Sequence, residues 1–255
     1  MKQLASQCEG EDQALLARLA DLAESAGRWG KPCFSAFLTE HEQAVARRMH
    51  PVPGVSFSLE GGHPDAERRV FAAVPDQISL EKIDYPFDAL TILMPRGYSV
   101  SHRDALGSFM ALGVKRETLG DILVGNSLAV VFALRPAALL ILGELRQIGR
   151  VGVRCSCGLP EQLPAAHRLE RLDGVVSSMR LDCIVAMAAN VSRAESARLI
   201  AQGLVSCNAQ VICAPAREIA AGDKISVRGV GKFQIAEIGA PTKKGRLRLA
   251  YDKYC

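Results

Sequence analysis

Within "SHRDALGSFMALGVKRETLGDI", His102, Arg103 and Asp104 offer an imidazole, a guanidinium and a carboxylate in succession. Such groups do general acid–base work when two of them come within hydrogen-bond reach of each other and of a substrate. Consecutive residues at a helix start point in different directions, so the spacing supplies no dyad. The same HRD letters in a kinase would need a glycine-rich loop and a DFG segment, which the sequence lacks. No catalytic residue is assigned. Ser101 or His102 is expected to begin a helix, Gly107 to allow close packing, and Lys115 with Arg116 to occupy an exposed turn. His102, Arg103, Lys115 and Arg116 are candidate RNA contacts, weighed against a structural role.

Thiol chemistry is the next option. Eight cysteines (Cys8, Cys33, Cys155, Cys157, Cys183, Cys207, Cys213 and Cys255) are scattered, without a CxxC pair and with a single tight cluster at Cys155 and Cys157. A zinc site brings two such pairs, or Cys and His at ligand spacing. The expectation is ordinary reduced thiols, no metal and no cofactor.

Charge points elsewhere. From Ser178 to the end there are 12 Lys and Arg against 6 Asp and Glu, whereas the preceding residues hold 19 against 21, so a net charge of +4 conceals a basic last third. Arg180, Arg193, Arg198, Lys224, Arg228 and Lys232 fall at expected outer positions. Packing does not explain them, although solubilising arginines on a small helix pair would look similar. Arg193 in a first helical turn lies beside free backbone N–H groups, and its planar fork suits a phosphate. The tail "TKKGRLRLAYDKY" alternates basic and apolar residues, so Lys243, Lys244, Arg246 and Arg248 can meet solvent or phosphate. Its few aromatics favour backbone contact over base stacking.

The elements that must carry these groups read as α+β, in three small modules. Residues 1–80 form an α/β unit: a helix "EDQALLARLADLAESAG" with Leu15, Leu16, Leu19 and Leu22 on one side, ended by Gly27; a strand "CFSAFLT"; a helix capped by Thr39; a strand "GVSFSLEGG"; and a short helix "PDAERRV" started by Pro64. Residues 81–158 alternate as βαββαβ, the ferredoxin-like plait common among RNA-binding modules and many unrelated proteins. Its strands are aliphatic and lack the aromatic run with which an RNA-recognition motif stacks bases. Residues 159–177 read as a connector with Pro160 and Pro164. Residues 178–255 give two helices and a small twisted sheet, with Ser192 and Glu195 as a capping box and Gly203 as a left-handed stop.

The apolar runs "LAVVFAL" and "AALLILG" are far shorter than the roughly 20 residues of a membrane span. The N-terminus lacks the apolar core of a secretion signal. No membrane contact and a cytoplasmic location are expected.

The basic third contains Arg180-Leu181-Asp182, then Ser192-Arg193, then Gly203 to Asn208, then Gly222-Asp223-Lys224-Ile225. In that order it resembles the RNA-binding domain named after ribosomal protein S-four, departing from it at Ala209, where many such domains carry glycine. This resemblance adds Ser192 and Asn208 to the candidate RNA contacts. Arg171-Leu172-Asp173 repeats the first motif and invites an alternative, a pseudouridine synthase-like RNA-modifying enzyme docking through the S-four-type domain. No Thr-x-Gly segment follows either Arg-Leu-Asp motif, and that family's large catalytic domain is missing from the sequence.

Upstream, "FLTEHEQAVARRM", "LEGGHPDAERRVF", "VSHRDALGSFMALGVKRETLGDILV" and "LRQIGRVGV", with the closing "RGVGKFQIAEIGAPTKKGRLRLAYDKY", are similar to the YlmH family, also called RqcP. The likeness spans nearly the whole chain. It implies a non-enzymatic factor that binds ribosomal RNA of the large subunit and peptidyl-tRNA in ribosome-associated quality control, beside a partner that directs template-free alanine tailing.

Overall fold

The computed structural model describes residues 2–165, 169–242 and 245–254, with side chains from residue 10 onward. It divides into two compact units, residues 11–166 and residues 167–255 together with 1–10.

Helix α1 (Lys2–Trp29) is longer than its apolar pattern predicts. Gly27 lies inside it, against Val55, and the left-handed stop is Gly30 at φ +63°. Strand β1 (Cys33–Leu38), helix α2 (Glu40–Ala46), and strands β2 (Val55–Glu60) and β3 (Arg69–Pro75) follow, the strands forming an antiparallel sheet in the order β1-β3-β2. Thr39 and Glu42 complete a full capping box on α2. Leu15, Leu19, Ala23 and Ala26 of α1 pack with Val45, Val55 and Phe71 on one face of this sheet.

The expected helix "PDAERRV" does not form, and its last two residues, Arg69 and Val70, are the start of β3. A tertiary acceptor outbids the local one: the Asp121 carboxylate accepts the backbone N–H groups of Glu67 (2.7 Å) and Arg68 (3.0 Å) and lies 3.0 Å from Nε2 of His63. The turn into this segment admits only glycine. A Cβ on Gly61 would sit 2.4 Å from that of Ala66, and one on Gly62, at φ +89°, 2.4 Å from the Phe132 ring.

The plait comprises β4 (Phe87–Leu93), α3 (His102–Ala111), β5 (Leu119–Val124), β6 (Leu128–Leu134), α4 (Arg135–Glu144), a two-stranded hairpin of β7 (Gln147–Ile148) and β8 (Val151–Gly152), and β9 (Arg154–Cys157). Its sheet runs β5-β6-β4-β9, the ferredoxin-like order, with every neighbour antiparallel. Strand alternation divides "LAVVFAL" between two cores. Ala129, Val131 and Ala133 face α3 and α4, while Val130 and Phe132 face Phe37 and Val70 of the three-stranded sheet. The run is apolar throughout because both faces are covered. Residues 11–166 are therefore four layers, helix, sheet, sheet, helix, in which the expected first two modules share a core.

In the second unit, β10 (Leu169–Val176) precedes α5 (Leu181–Ala188), α6 (Arg193–Ala201), β11 (Val205–Cys207), β12 (Gln210–Val211), β13 (Lys224–Val227), β14 (Gly231–Pro241) and β15 (Leu247–Tyr254). The sheet order is β10-β15-β14-β13-β11-β12. The second half of the expected connector is thus a strand, fully paired with β15 from Leu169 to Val176. Its exposed residues mix apolar Leu169 and Val175 with Glu170, Arg171 and Asp173, so no clean alternation marks it and the distant partner reveals it. Leu181, Ile184, Val185 and Ile200 of the helices bury against Val205, Ile225, Val227, Phe233 and Ile235 of the sheet.

Candidate nucleic-acid interface

Helix α5 starts at Arg180, whose backbone is extended (φ −72°, ψ 145°). The N–H groups of Leu181 and Asp182 donate to the carbonyls of Arg217 and Pro215, which anchors the helix start. Helix α6 starts at Ser192, whose hydroxyl accepts the Glu195 N–H at 3.1 Å. The two helices are tied by the buried Ser196 hydroxyl, which donates to the Asp182 carbonyl at 2.7 Å. This tie sets Arg193 beside the Asp182 side chain.

Asp182 accepts Arg180 through both oxygens, at 3.0 and 3.2 Å, and Arg193 at 2.8 Å. Its side chain is only 7% exposed, against 42% for Arg180 and 59% for Arg193. Burial alone would disfavour the carboxylate. Hydrogen bonds from the two guanidinium groups outweigh that and hold its pKa well below the usual carboxylate range. The same bonds raise the pKa of both arginines. One negative charge thus fixes two positive ones. Each guanidinium has five N–H donors, and three bonds in all go to Asp182. The rest present a fixed cationic edge suited to a phosphate.

The other basic candidates do not join this edge. Arg198 forms a two-point pair with Glu195 at 3.0 and 2.7 Å. That spends the Glu195 carboxylate, so the predicted capping box is only half made. Lys224 and Lys232 alternate with the buried Ile225 and Phe233, and so project from the sheet face opposite the helices. The Lys232 ammonium lies 5.1 Å over the Tyr254 ring, a cation–π contact. Arg228 and Arg246 are exposed in turns beyond β13 and before β15. Lys243 and Lys244 lie outside the described residues.

Asn208 is committed within the fold. Its amide donates to Asp223 at 2.7 Å and accepts the Lys224 N–H at 2.9 Å, joining the β11–β12 turn to the Gly222-Asp223 turn. Asn208 and Ala209 both have positive φ, +50° and +64°, in a two-residue hairpin loop. This is the conformation for which Asn-Gly is preferred. Ala209→Gly should therefore raise the stability of this unit by about 1 kcal/mol, read as a shift in the urea midpoint with an unchanged slope.

In the plait, Ser101 and Asp104 make a capping box, with the Asp104 carboxylate accepting the Ser101 N–H (3.1 Å) and hydroxyl (2.7 Å). The Ser101 hydroxyl, then its N–H, lowers the Asp104 pKa. Asp104 is a helix cap, and His102 and Arg103 are exposed beside it. Helix α3, of 10 residues, spans about 15 Å, which separates His102 and Arg103 from Lys115 and Arg116. Arg116 is half-buried and donates to the carbonyls of Leu119 (3.1 Å) and Gly120 (3.4 Å). Burial lowers its pKa.

The plait's sheet offers no platform for bases. Phe132, the aromatic on its central strand, is stacked by His63 with ring centroids 5.1 Å apart and closed off beneath Gly62 and Phe37. Among the described residues no group of three or more His, Cys, Asp or Glu could hold a metal ion. Cys33, Cys155, Cys157, Cys183, Cys207 and Cys213 are free thiols. Burial, with the neighbouring Cys157 second, pushes Cys155 up to about 11.

Fold and site define an α+β protein in which a ferredoxin-like plait is followed by a helix pair on an antiparallel sheet, with a carboxylate-fixed arginine pair on the helices. Residues 77–158 match the family model described as "Putative RNA-binding domain in YlmH". The chain is 30% identical over 219 residues, 85% of each chain, to the ribosome-associated protein quality control protein P2 of Bacillus subtilis (strain 168). The chain belongs to the YlmH/RqcP family. The solved structure of cell division protein ylmH from Streptococcus pneumoniae shares the fold, with a TM-score of 0.51 and 20% identity over 58% of this chain and 92% of that one.

Arg180 and Arg193 stand out in the sequence as candidates, whereas Asp182 is there only a letter of the Arg-Leu-Asp motif. Its burial between two arginines appears once α5 and α6 are packed. No helix among the described residues is long and apolar enough to cross a membrane.

Proposed function

We propose that this protein is an RNA-binding factor of ribosome-associated quality control, acting in the cytoplasm without catalysis of its own. The observation that carries this reading is the fixed pair Arg180 and Arg193 on buried Asp182, in a segment resembling the S-four-type domain. The RNA is ribosomal RNA of the large subunit together with peptidyl-tRNA, gripped through phosphates and shape. Held there, the tRNA is steadied while a partner factor adds alanine to the stalled chain. The name of the Bacillus relative supports the process, and the family model supports the ligand class. Among the remaining candidates, Lys224, Arg228, Lys232 and the tail residues Lys243, Lys244 and Arg246 contribute longer-range attraction, while Ser192 and Asn208 act by holding the scaffold.

Co-sedimentation with purified large subunits bearing peptidyl-tRNA, over a potassium chloride series, tests this. The logarithm of affinity should fall with that of salt with a slope of about −2 or steeper, near one unit per neutralised phosphate. No enrichment of the protein with large subunits at low salt would refute the reading.

A further inference from the structure

Several arginines of this chain are neutralised where they stand: Arg48 by Asp12, Arg135 by Asp84, Arg171 by Asp252 and Arg198 by Glu195. One end of the plait differs. Strand β4 finishes at Leu93, which pairs with Arg154 at the start of β9. The Met94 N–H donates to the Ser127 carbonyl at 3.0 Å, and the Ser127 hydroxyl to the Tyr98 carbonyl at 3.3 Å, folding the loop that carries Arg96 back onto this end. Helix α3 begins here, with Arg103 in its first turn, and α4 finishes here. The Val153 N–H donates to the Arg146 carbonyl at 2.9 Å, and the Gly149 N–H to the Ser108 hydroxyl at 3.3 Å, which docks the β7–β8 hairpin, with Arg150 at its tip, against α3.

Arg96, Arg103, Arg146, Arg150 and Arg154 are thereby gathered at one end, all exposed. Among the described residues none of the five is in an ion pair. Arg103 and Arg146 line a common open groove of about 630 Å³ between α3 and the hairpin. Of the two carboxylates at the groove, Asp104 is spent on Ser101, leaving Glu144. The opposite end of the plait is balanced, with Arg135 held by Asp84 and Asp88.

Five unneutralised guanidinium groups repel one another, and a polyanion relieves that. Lysine is absent from residues 94–104 and 144–154, so the positive charge there is entirely of the planar, bidentate kind that matches phosphate oxygens. Tyr98, 57% exposed in the same loop, adds a ring against which a sugar or an unpaired base can pack. The sheet face is closed by the three-stranded sheet, so any RNA bound by this module must meet its ends or helices.

We propose that this end of the plait is a second RNA-backbone interface, which takes the phosphates of a double-helical RNA segment through Arg96, Arg103, Arg146, Arg150 and Arg154. It rests on the RNA-binding reading above and adds a site separate from the arginine pair on Asp182.

The test uses the full chain and a fluorescein-labelled 20-base-pair RNA duplex in fluorescence anisotropy at several salt concentrations. Arg146 is left unchanged because it also donates to the Gly143 and Leu145 carbonyls at the end of α4. The triple variant Arg96→Glu, Arg150→Glu, Arg154→Glu should bind at least about tenfold more weakly, with the salt slope reduced by about one for each phosphate no longer neutralised. Its thermal midpoint should match the wild type, and the corresponding triple Lys variant should keep most of the affinity. Unchanged affinity and slope in the Glu variant would overturn the proposal. If Arg180→Glu with Arg193→Glu loses the duplex while the triple variant keeps it, this site fails and the broader function stands. If the wild type binds no duplex at low salt, this site fails, while co-sedimentation with large subunits still decides the broader function. Wild-type binding to phosphatidylglycerol vesicles that the triple variant loses, with duplex affinity intact, would replace RNA by a membrane surface.

Discussion

The double variant Arg180→Glu, Arg193→Glu is expected to bind large ribosomal subunits about 100-fold more weakly than the wild type, the equivalent of two charge-assisted hydrogen bonds of about 1.5 kcal/mol each. Net charge alone would weaken any RNA contact after such a change, so the deciding comparison is Asp182→Asn. That substitution removes a negative charge, and simple attraction predicts tighter binding. Fixed geometry predicts the reverse. Without the carboxylate that takes Arg180 at two points and Arg193 at a third, the guanidinium groups separate, and affinity should fall about fivefold, near 1 kcal/mol. Tighter binding by Asp182→Asn would show that position does not matter here.

Asp182→Asn also carries a stability signature. Losing charge-assisted bonds from a buried acceptor should cost about 1–3 kcal/mol, towards the lower end because both arginines can turn to water. The folded pKa of Asp182 is depressed, so its contribution is complete above the unfolded value, about pH 3.9, and is lost as pH falls through the folded value. The deficit of the variant should accordingly be constant near neutrality and shrink below about pH 4. Urea unfolding at pH 7 and pH 3 measures both.

Asp121→Ala should be the more damaging change in the other unit, about 3–5 kcal/mol. It orphans the N–H groups of Glu67 and Arg68 and the ring nitrogen of His63, which is buried against Phe132. It also loosens Arg68, whose guanidinium donates to the carbonyls of Leu119 (2.8 Å) and Phe37 (2.9 Å) across the two sheets. Burial, with Arg116 second, already lowers the Arg68 pKa to about 10. In a unit of this size the expected fall in thermal midpoint is about 10 °C. Asp121→Asn, keeping one carbonyl oxygen, should recover part of it. Below its melting temperature the Ala variant should retain RNA binding through Arg180 and Arg193. A midpoint within 2–3 °C of wild type, near 1 kcal/mol, would mean that Asp121 does not organise this segment.

Sequence alone determined the features that are local in origin. Ser101, Thr39 and Ser192 cap helices because their hydroxyls reach N–H groups two or three residues ahead. Gly203, at φ +70°, ends α6 by a rule that concerns one residue. The plait was legible from strand and helix periodicity, and Arg180, Ser192-Arg193 and Asn208 from a motif spread over contiguous chain. What the tertiary structure decided depends on acceptors far along the chain. "PDAERRV" forfeits its helix to Asp121, more than 50 residues away. Leu169–Val176 becomes a strand because β15 supplies its partners. Arg193 and Arg198 look alike in sequence, one turn apart, yet one is fixed on buried Asp182 and the other closes on Glu195. Which charge a guanidinium meets depends on the packing of α5 against α6, and side-chain chemistry read along one helix does not contain that distance.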